Sequence, residues 1–219
     1  MSKKRPERKP KIDPILECIQ KKEITHLVGI DESRNGSLIE YPIFVSSIRK
    51  LNDLSFNELT KKSNFTKLRP SKGISYINTI SNIIKDHILS WFYYCDLIKD
   101  DKYNRCDQTM LTLATFIRYL GDNFISLNKT LILIDGKKLC TKNGVTLEGL
   151  IDPFQKEMLN IKFIVEGDKK YEVIRDADTI AYNLAYGDKN KKIHELIKRF
   201  PEKHIDLQYY LKKRGTIGI

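Results

Sequence analysis

No apolar run in the sequence approaches the roughly 20 residues that a helix needs to cross a bilayer, and no hydrophobic segment typical of a secretion signal follows its basic start. We therefore expect a cytoplasmic protein without membrane contact. Cysteine and histidine are also scarce. The four cysteines and four histidines show no Cys-x-x-Cys, His-x-x-x-His or Cys-x-x-His spacing. This pattern argues against a zinc site and a disulfide framework, and it is typical of a reduced compartment.

Acidic residues are in the minority, because the 219-residue chain has 28 Asp and Glu against 39 Lys and Arg, a formal net charge of +11. A basic excess of this size is typical of a protein with a polyanionic partner, most often nucleic acid. A lysine-rich surface that serves solubility is the alternative. Residues 1–11 (MSKKRPERKPK) predict a disordered basic arm. We expect an arm and lead-in over residues 1–22 and one domain over residues 23–219.

The apolar segments predict a mixed α/β protein. Short apolar or aromatic runs bounded by turn residues indicate strands, and apolar residues at helical spacing indicate helices. Strands are expected over residues 25–32, 40–50, 88–98, 129–136 and 160–168, and helices over residues 74–88, 107–124, 147–159, 173–184 and 190–200. Strands followed by alternating helices and strands predict a mixed sheet with helices packed on it.

Three of the predicted strands end in acidic residues, in the segments VGIDE, LILID and FIVEGD. Ligand sites in such sheets lie outside the carboxyl ends of the strands, so these acids would converge if the strands are neighbours. The acids are Asp31, Glu32, Asp135 and Asp168. Four carboxylates in one place cannot all stay ionised without a cation, and hard oxygen ligands favour Mg²⁺ or Mn²⁺. In a basic protein, such a pocket suits cleavage of a phosphodiester by two metal ions. For each acid alone, ordinary turn chemistry is the simpler explanation.

The order of these segments resembles the type 2 ribonucleases H (HII). That family opens with a strand running into D-E-[AV]-G-R-G, where this chain has VGIDESRNG, and continues with D-S-K-x-L-[ST], where it has RPSKGIS. The third acid of the family follows an apolar strand, as in LILIDG. The fourth lies in K-[GA]-D before a helix rich in Ala, Ser and Ile, as in VEGDKKYEVIRDADTIAYNLA. The resemblance covers most of residues 25–187.

The resemblance implies a ribonuclease H-like mixed sheet flanked by helices, with a helical basic C-terminal segment. It also implies a divalent-metal-dependent endonuclease that hydrolyses the RNA strand of RNA–DNA hybrids, or ribonucleotides embedded in DNA, with Mg²⁺ or Mn²⁺ as its cofactor. The catalytic and metal-binding acids carried over from the family are Asp31, Glu32, Asp135 and Asp168. Nucleic acid would be the partner, and we expect a monomer.

Contacts with nucleic acid are expected around the acids and in the C-terminal segment. The expected residues are Arg34, Asn35, Gly36, Ser71, Lys72, Lys169, Tyr209, Tyr210 and Arg214. Three stretches depart from the family. Residues 34–36 stand in place of G-R-G, Pro70 replaces the Asp of D-S-K, and Arg214 replaces the Tyr of G-Y-G-T, which stacks at the scissile nucleotide in the family. A side chain at position 34 also keeps the backbone further from a 2′-OH than glycine would.

Two alternatives stay open. A nucleic-acid-binding protein could keep this fold and some of the acids without cutting, since fold does not fix activity. A second, nuclease-like family of the same fold type has a D-E-S-G strand and a late A-D-x-[IV]-A helix, matched here by DES (31–33) and ADTIA (177–181). In that family the last metal ligand would be Asp178, on the apolar side of a helix, where a carboxylate is unfavourable unless it is paired or metal-bound. We rank Asp168 above Asp178 as the fourth ligand.

Overall fold

A computed structural model describes residues 14–33, 42–51, 90–152, 159–185, 191, 195 and 198–214 of the chain. The predicted basic arm and the predicted helix over residues 74–88 lie outside these residues. The same holds for five of the predicted nucleic-acid contacts, namely Arg34, Asn35, Gly36, Ser71 and Lys72.

In the described part of the chain, five strands form one sheet in the order β3-β2-β1-β4-β5. The strands are β1 (His26–Glu32), β2 (Ile43–Lys50), β3 (Ser90–Asp96), β4 (Thr130–Asp135) and β5 (Asn160–Ile164). β2 is antiparallel to both β1 and β3, whereas β4 is parallel to both β1 and β5. The predicted mixed sheet is therefore confirmed.

Helices cover both faces of this sheet. They are α1 (Pro14–Lys21), α2 (Arg105–Asn123), α3 (Leu147–Ile151), α4 (Glu172–Ala185) and α5 (Leu207–Arg214). α2 packs on the face where Ile30 and Ile134 are buried, and α1 and α4 pack on the opposite face against Leu27 and Leu133. The fold is a ribonuclease H-like α/β sheet flanked by helices, with a helical and basic C-terminal segment. Within the described residues, no helix is long and apolar enough to span a membrane.

Several element boundaries differ from the sequence prediction. The helix expected over residues 147–159 ends at Ile151. Two other differences concern the core and the acidic residues. The strand expected over residues 160–168 ends at Ile164, because Glu166 adopts a left-handed backbone conformation (φ 55°) and Gly167–Lys169 form a 3-10 turn. Asp168 therefore lies in that turn rather than at a strand end. The second difference is α1, which falls within the predicted lead-in and whose Ile15 is buried in the core beneath α4.

Close packing fixes α4 across β1. A Cβ atom added to Gly29 would lie 2.4 Å from the backbone carbonyl carbon and oxygen of Val173, so only glycine lets the helix approach this closely. Arg49 of β2 holds the same helix from the side. Its guanidinium lies 3.1 Å from the carboxylate of Glu172 and 2.5 Å from that of Asp176, which is buried. These contacts fix the position of the first half of α4 on the sheet.

Candidate active site

The pairing of two parallel strands sets Asp31 beside Asp135. Ile30 of β1 is paired with Ile134 of β4, and the next residue along each strand is an aspartate. Neighbouring strands lie about 4.8 Å apart, and successive side chains point to opposite faces. Because Ile30 and Ile134 belong to the core beneath α2, the two aspartates point to the face that α4 covers.

A third carboxylate comes from α4. The side chain of Asp178 forms a hydrogen bond with that of Asp31, five residues after Val173, where the helix touches Gly29. A hydrogen bond between two carboxyl groups requires that one of them carries a proton, because an ionised carboxylate can only accept. Asp31, Asp135 and Asp178 are hereafter called the carboxylate cluster.

The pKa of Asp31 is strongly raised. Burial is the largest cause and the negative charges of Asp178 and then Asp135 add to it, so that together they raise the pKa of Asp31 to about 8. The backbone N–H of Glu32, which donates to Asp31 Oδ1 at 2.8 Å, acts in the opposite direction. Only 9% of Asp31 is exposed, so water cannot solvate its charge. Near neutral pH, the cluster therefore retains a proton in the absence of a cation.

Asp135 is held in place by the turn that follows β5. The backbone N–H of Gly167 donates to Asp135 Oδ1 at 2.8 Å. A Cβ atom at position 167 would lie 2.5 Å from Ile174 Cδ1 and 3.2 Å from this same oxygen, so a side chain would disturb both the helix and the carboxylate. Gly167 thus helps to orient the carboxylate of Asp135.

The carboxylate cluster lines a cleft of about 800 Å³. Among the residues that the structure describes, six acidic ones line this cleft: Asp31, Glu32, Asp135, Glu166, Asp168 and Asp178. All four acids carried over from the resemblance are among them, as is the alternative ligand. Phe44 and Leu113 contribute apolar wall. The convergence of acids from β1, β4, the turn after β5 and α4 is what the topology of the sheet produces at its carboxyl edge.

Asp168 and Asp178 occupy different environments in this cleft. Asp178 contacts Asp31 and raises its pKa, whereas Asp168 is not among the groups that perturb Asp31. The backbone carbonyl of Asp168 accepts a hydrogen bond of 2.8 Å from Arg175 Nε, which ties the 3-10 turn to α4. The environment of Asp31 therefore favours Asp178 over Asp168 as the partner of Asp31 and Asp135. The ranking of the two as metal ligands stays a prediction.

The sequence analysis missed several residues that line the cleft, among them Glu166, Lys137 and Tyr182. Lys137 follows Asp135 by two residues, and Tyr182 follows Asp178 by one helical turn. The signal that could have revealed Tyr182 is its spacing from Asp178, because residues four apart share a helix face, whereas Lys137 has only its nearness to Asp135. Lys169, which was predicted, also lines the cleft, and its ammonium lies 2.6 Å from the carboxylate of Glu166.

The predicted contacts of the C-terminal segment lie apart from the cleft. Tyr210 is buried, its hydroxyl donates to the carboxylate of Asp122 near the end of α2, and Arg214 lies 3.4 Å from the same carboxylate. Thr109, at the other end of α2, lines the cleft. At a rise of about 1.5 Å per residue, the thirteen helical steps from Thr109 to Asp122 span roughly 20 Å. Tyr209 is 64% exposed and is not among the residues lining the cleft.

The donor set suits a hard divalent cation. Among the described residues, no group of three or more His, Cys, Asp or Glu side chains is arranged to hold a metal ion as it stands. The carboxylate cluster nevertheless offers only carboxylate oxygens, the ligands that Mg²⁺ and Mn²⁺ prefer. A doubly charged cation would remove the repulsion that raises the pKa of Asp31, and it would compete with the proton that Asp31 shares with Asp178.

Comparison with known proteins finds similarity at the level of structure. No protein-family model matches the chain, and no curated protein matches it either. The chain resembles archaeal ribonucleases HII. Ribonuclease H2 from Pyrococcus horikoshii OT3 is 17% identical over 88% of this chain and 90% of its own, with a TM-score of 0.41. The ribonuclease HII of the PCNA complex from Archaeoglobus fulgidus is 13% identical over 86% and 87%, with a TM-score of 0.38. These neighbours are of the family that the sequence resembles, and at such identities they carry no inference about which residues act.

Proposed function

We propose that the protein is a divalent-metal-dependent endonuclease of the ribonuclease H type. Its substrate would be the RNA strand of RNA–DNA hybrids or ribonucleotides embedded in DNA. The observation that supports this proposal best is Asp31, a buried carboxyl whose ionised form is disfavoured by burial and by the charges of Asp178 and Asp135. A purely structural position would be filled more favourably by an apolar residue. Strong perturbation of a carboxyl in a cleft is typical of a functional site.

In this proposal the carboxylate cluster holds Mg²⁺ or Mn²⁺, and Glu32 and Asp168 complete the acidic wall. When bound, such cations make a water molecule nucleophilic and stabilise the leaving oxygen of a phosphodiester. The chain supplies orientation. The backbone N–H groups of Glu32 and Gly167 each fix one oxygen of Asp31 and Asp135, respectively. Asp31 must also release its proton before it can act as a ligand, so binding of the cation should strengthen as the pH rises.

The charge of the chain supports a nucleic-acid substrate. The cleft is acidic, while the whole chain carries a formal net charge of +11, so the basic residues lie mainly elsewhere. A basic surface around an acidic pocket suits a polyanion that is held by its backbone and cut at one point. The predicted basic arm would add to this attraction.

The second candidate is a protein that binds nucleic acid without cutting it. The departures from the family at residues 34–36 favour this alternative, because they alter a segment that reads the substrate and leave the basic charge of the chain in place. The two functions differ in their response to metal. Cleavage requires the carboxylate cluster and a divalent ion, whereas binding to phosphates requires neither.

A cleavage assay with defined substrates separates the two candidates. The purified protein would be incubated with an RNA–DNA hybrid, a DNA duplex containing one ribonucleotide and an all-DNA duplex, in Mn²⁺ or in EDTA. We expect cleavage of a ribonucleotide-containing substrate in Mn²⁺ only. Asp135→Asn should abolish it while leaving hybrid binding within a few-fold, and Asp101→Asn, an exposed aspartate in the turn before α2, is the control. Binding without cleavage of any substrate would favour the second candidate.

A further inference from the structure

Lys137 stands at the wall of the cleft on a fixed turn. It follows Asp135 and Gly136, and Gly136 has a positive φ of 110° that glycine adopts readily. The N–H of Gly136 donates to the carbonyl oxygen of Ile164 at 3.0 Å, which ties the turn to the end of β5. The side chain of Lys137 is exposed and lines the cleft. The backbone position of Lys137 is therefore fixed by the same end of β4 that positions Asp135.

The contacts of the two cleft lysines differ. Lys169 forms an ion pair of 2.6 Å with Glu166. Lys137 forms no ion pair with any residue that the structure describes, although six acidic residues line the same cleft. A lysine that served only to offset these acids would be expected to contact one of them, as Lys169 does. Lys137 thus presents a positive charge to whatever enters the cleft.

A nucleic-acid strand entering this cleft needs such a charge. Each phosphate is repelled by the acidic wall, and the cations of the carboxylate cluster would act only on the phosphate that is cut. A flexible ammonium is well suited to bind a neighbouring phosphate, since it needs no fixed geometry. We propose that Lys137 binds a backbone phosphate of the substrate strand next to the carboxylate cluster. This inference rests on the proposed nuclease function and adds a substrate-positioning residue to it.

The chain contains a matched control for this residue. Lys138 is the next residue, is also exposed and is not among the residues that line the cleft. Lys137→Gln and Lys138→Gln therefore make the same change of charge one residue apart. Neither side chain is buried, so both variants should unfold at the temperature of the wild type, which thermal unfolding would check.

The test compares binding and turnover of the full-length variants. Affinity for a fluorescent RNA–DNA hybrid would be measured by anisotropy in EDTA at several salt concentrations, and cleavage in Mn²⁺ would give kcat and KM. Lys137→Gln should weaken binding by about fivefold, the upper range for an exposed ion pair, and reduce the slope of log K against log salt by about 0.9. KM should rise with little change in kcat, and Lys138→Gln should resemble the wild type.

The outcomes separate the two proposals. If the wild type cuts the hybrid but the two lysine variants bind and turn over alike, the role of Lys137 is refuted and the nuclease function stands. If the wild type neither binds nor cuts the hybrid, the nuclease function fails and the role of Lys137 fails with it. If the wild type binds without cutting and only Lys137→Gln weakens binding, the phosphate contact is supported and the nuclease function is not.

Discussion

Replacing Asp31 with asparagine should stabilise the metal-free protein near neutral pH. The pKa of Asp31 is about 8 in the folded protein, against 3.8 for a free side chain. Between these values the folded state holds a proton that the unfolded state has lost, so the free energy of unfolding falls as the pH rises through this window. Asparagine is always neutral and close in shape, and its amide can still donate to Asp178. The loss of stability that the wild type suffers by keeping this carboxyl protonated at neutral pH is therefore absent in the variant.

The expected gain follows from the size of the shift. A pH of 7 lies about 3 units above the pKa of the side chain in the unfolded state, and each unit corresponds to roughly 1.4 kcal/mol of stability. This gives an upper value of about 4 kcal/mol, and the proton shared with Asp178 leaves part of the cost in place, so we expect about 2–4 kcal/mol. Below about pH 4 the difference between the two proteins should vanish, because the carboxyl is then protonated in both states.

Urea unfolding in EDTA at several pH values between 4 and 8 measures this difference. Burial lowers the pKa of His26 and the hydrogen bond with Asp96 raises that of His204, but both proteins contain these histidines, so their contribution cancels in the comparison. Adding Mn²⁺ at about 1,000 times its Kd should reverse the order, since this stabilises the wild type by about 4.1 kcal/mol and the variant lacks a charged ligand. A variant that is less stable than the wild type at pH 7 in EDTA, or that gains as much from Mn²⁺, would refute this reasoning.

Three further changes test other parts of the site. Asp178→Asn should reduce cleavage as strongly as Asp135→Asn, and Asp168→Asn should reduce it less; a fully active Asp178→Asn beside an inactive Asp168→Asn would restore the order predicted from the sequence. Deleting residues 1–11 should weaken hybrid binding and lower its salt dependence, by about 0.9 in slope for each phosphate that the arm neutralises, and equal slopes would show that the arm does not bind the hybrid. Gly29→Ala should lower the free energy of unfolding by about 1–3 kcal/mol through overpacking against α4 and weaken Mn²⁺ binding in calorimetry, whereas an alanine variant of unchanged stability would contradict the close approach seen at Val173.

The strand acids could be predicted from the sequence because they depend on local pattern. The runs VGIDE and LILID are apolar until their last residues, and parallel pairing of such strands brings Asp31 and Asp135 together without further information. The mixed sheet follows from the same alternation of strands and helices. These features need only the periodicity of the chain and the rule that ligands gather at the carboxyl ends of strands.

The different surroundings of Asp168 and Asp178 could not be predicted, because they depend on packing between distant segments. The left-handed backbone of Glu166 ends β5 early and turns Asp168 away from the strand direction. The close approach of α4 to Gly29 brings the side chain of Asp178 next to Asp31. Both effects arise from contacts that a local pattern does not contain. The C-terminal segment is a similar case, since Tyr210 packs at the far end of α2 although its place in the sequence suggested the cleft.

The position of Mn²⁺ in crystals of the wild-type protein, located by its anomalous scattering after soaking above pH 8, tests the central claim most directly. The account predicts a peak in the cleft with carboxylate oxygens of Asp31, Asp135 and Asp178 among the ligands, and no such peak in crystals of Asp31→Asn. An empty carboxylate cluster in wild-type crystals at saturating Mn²⁺ would contradict it.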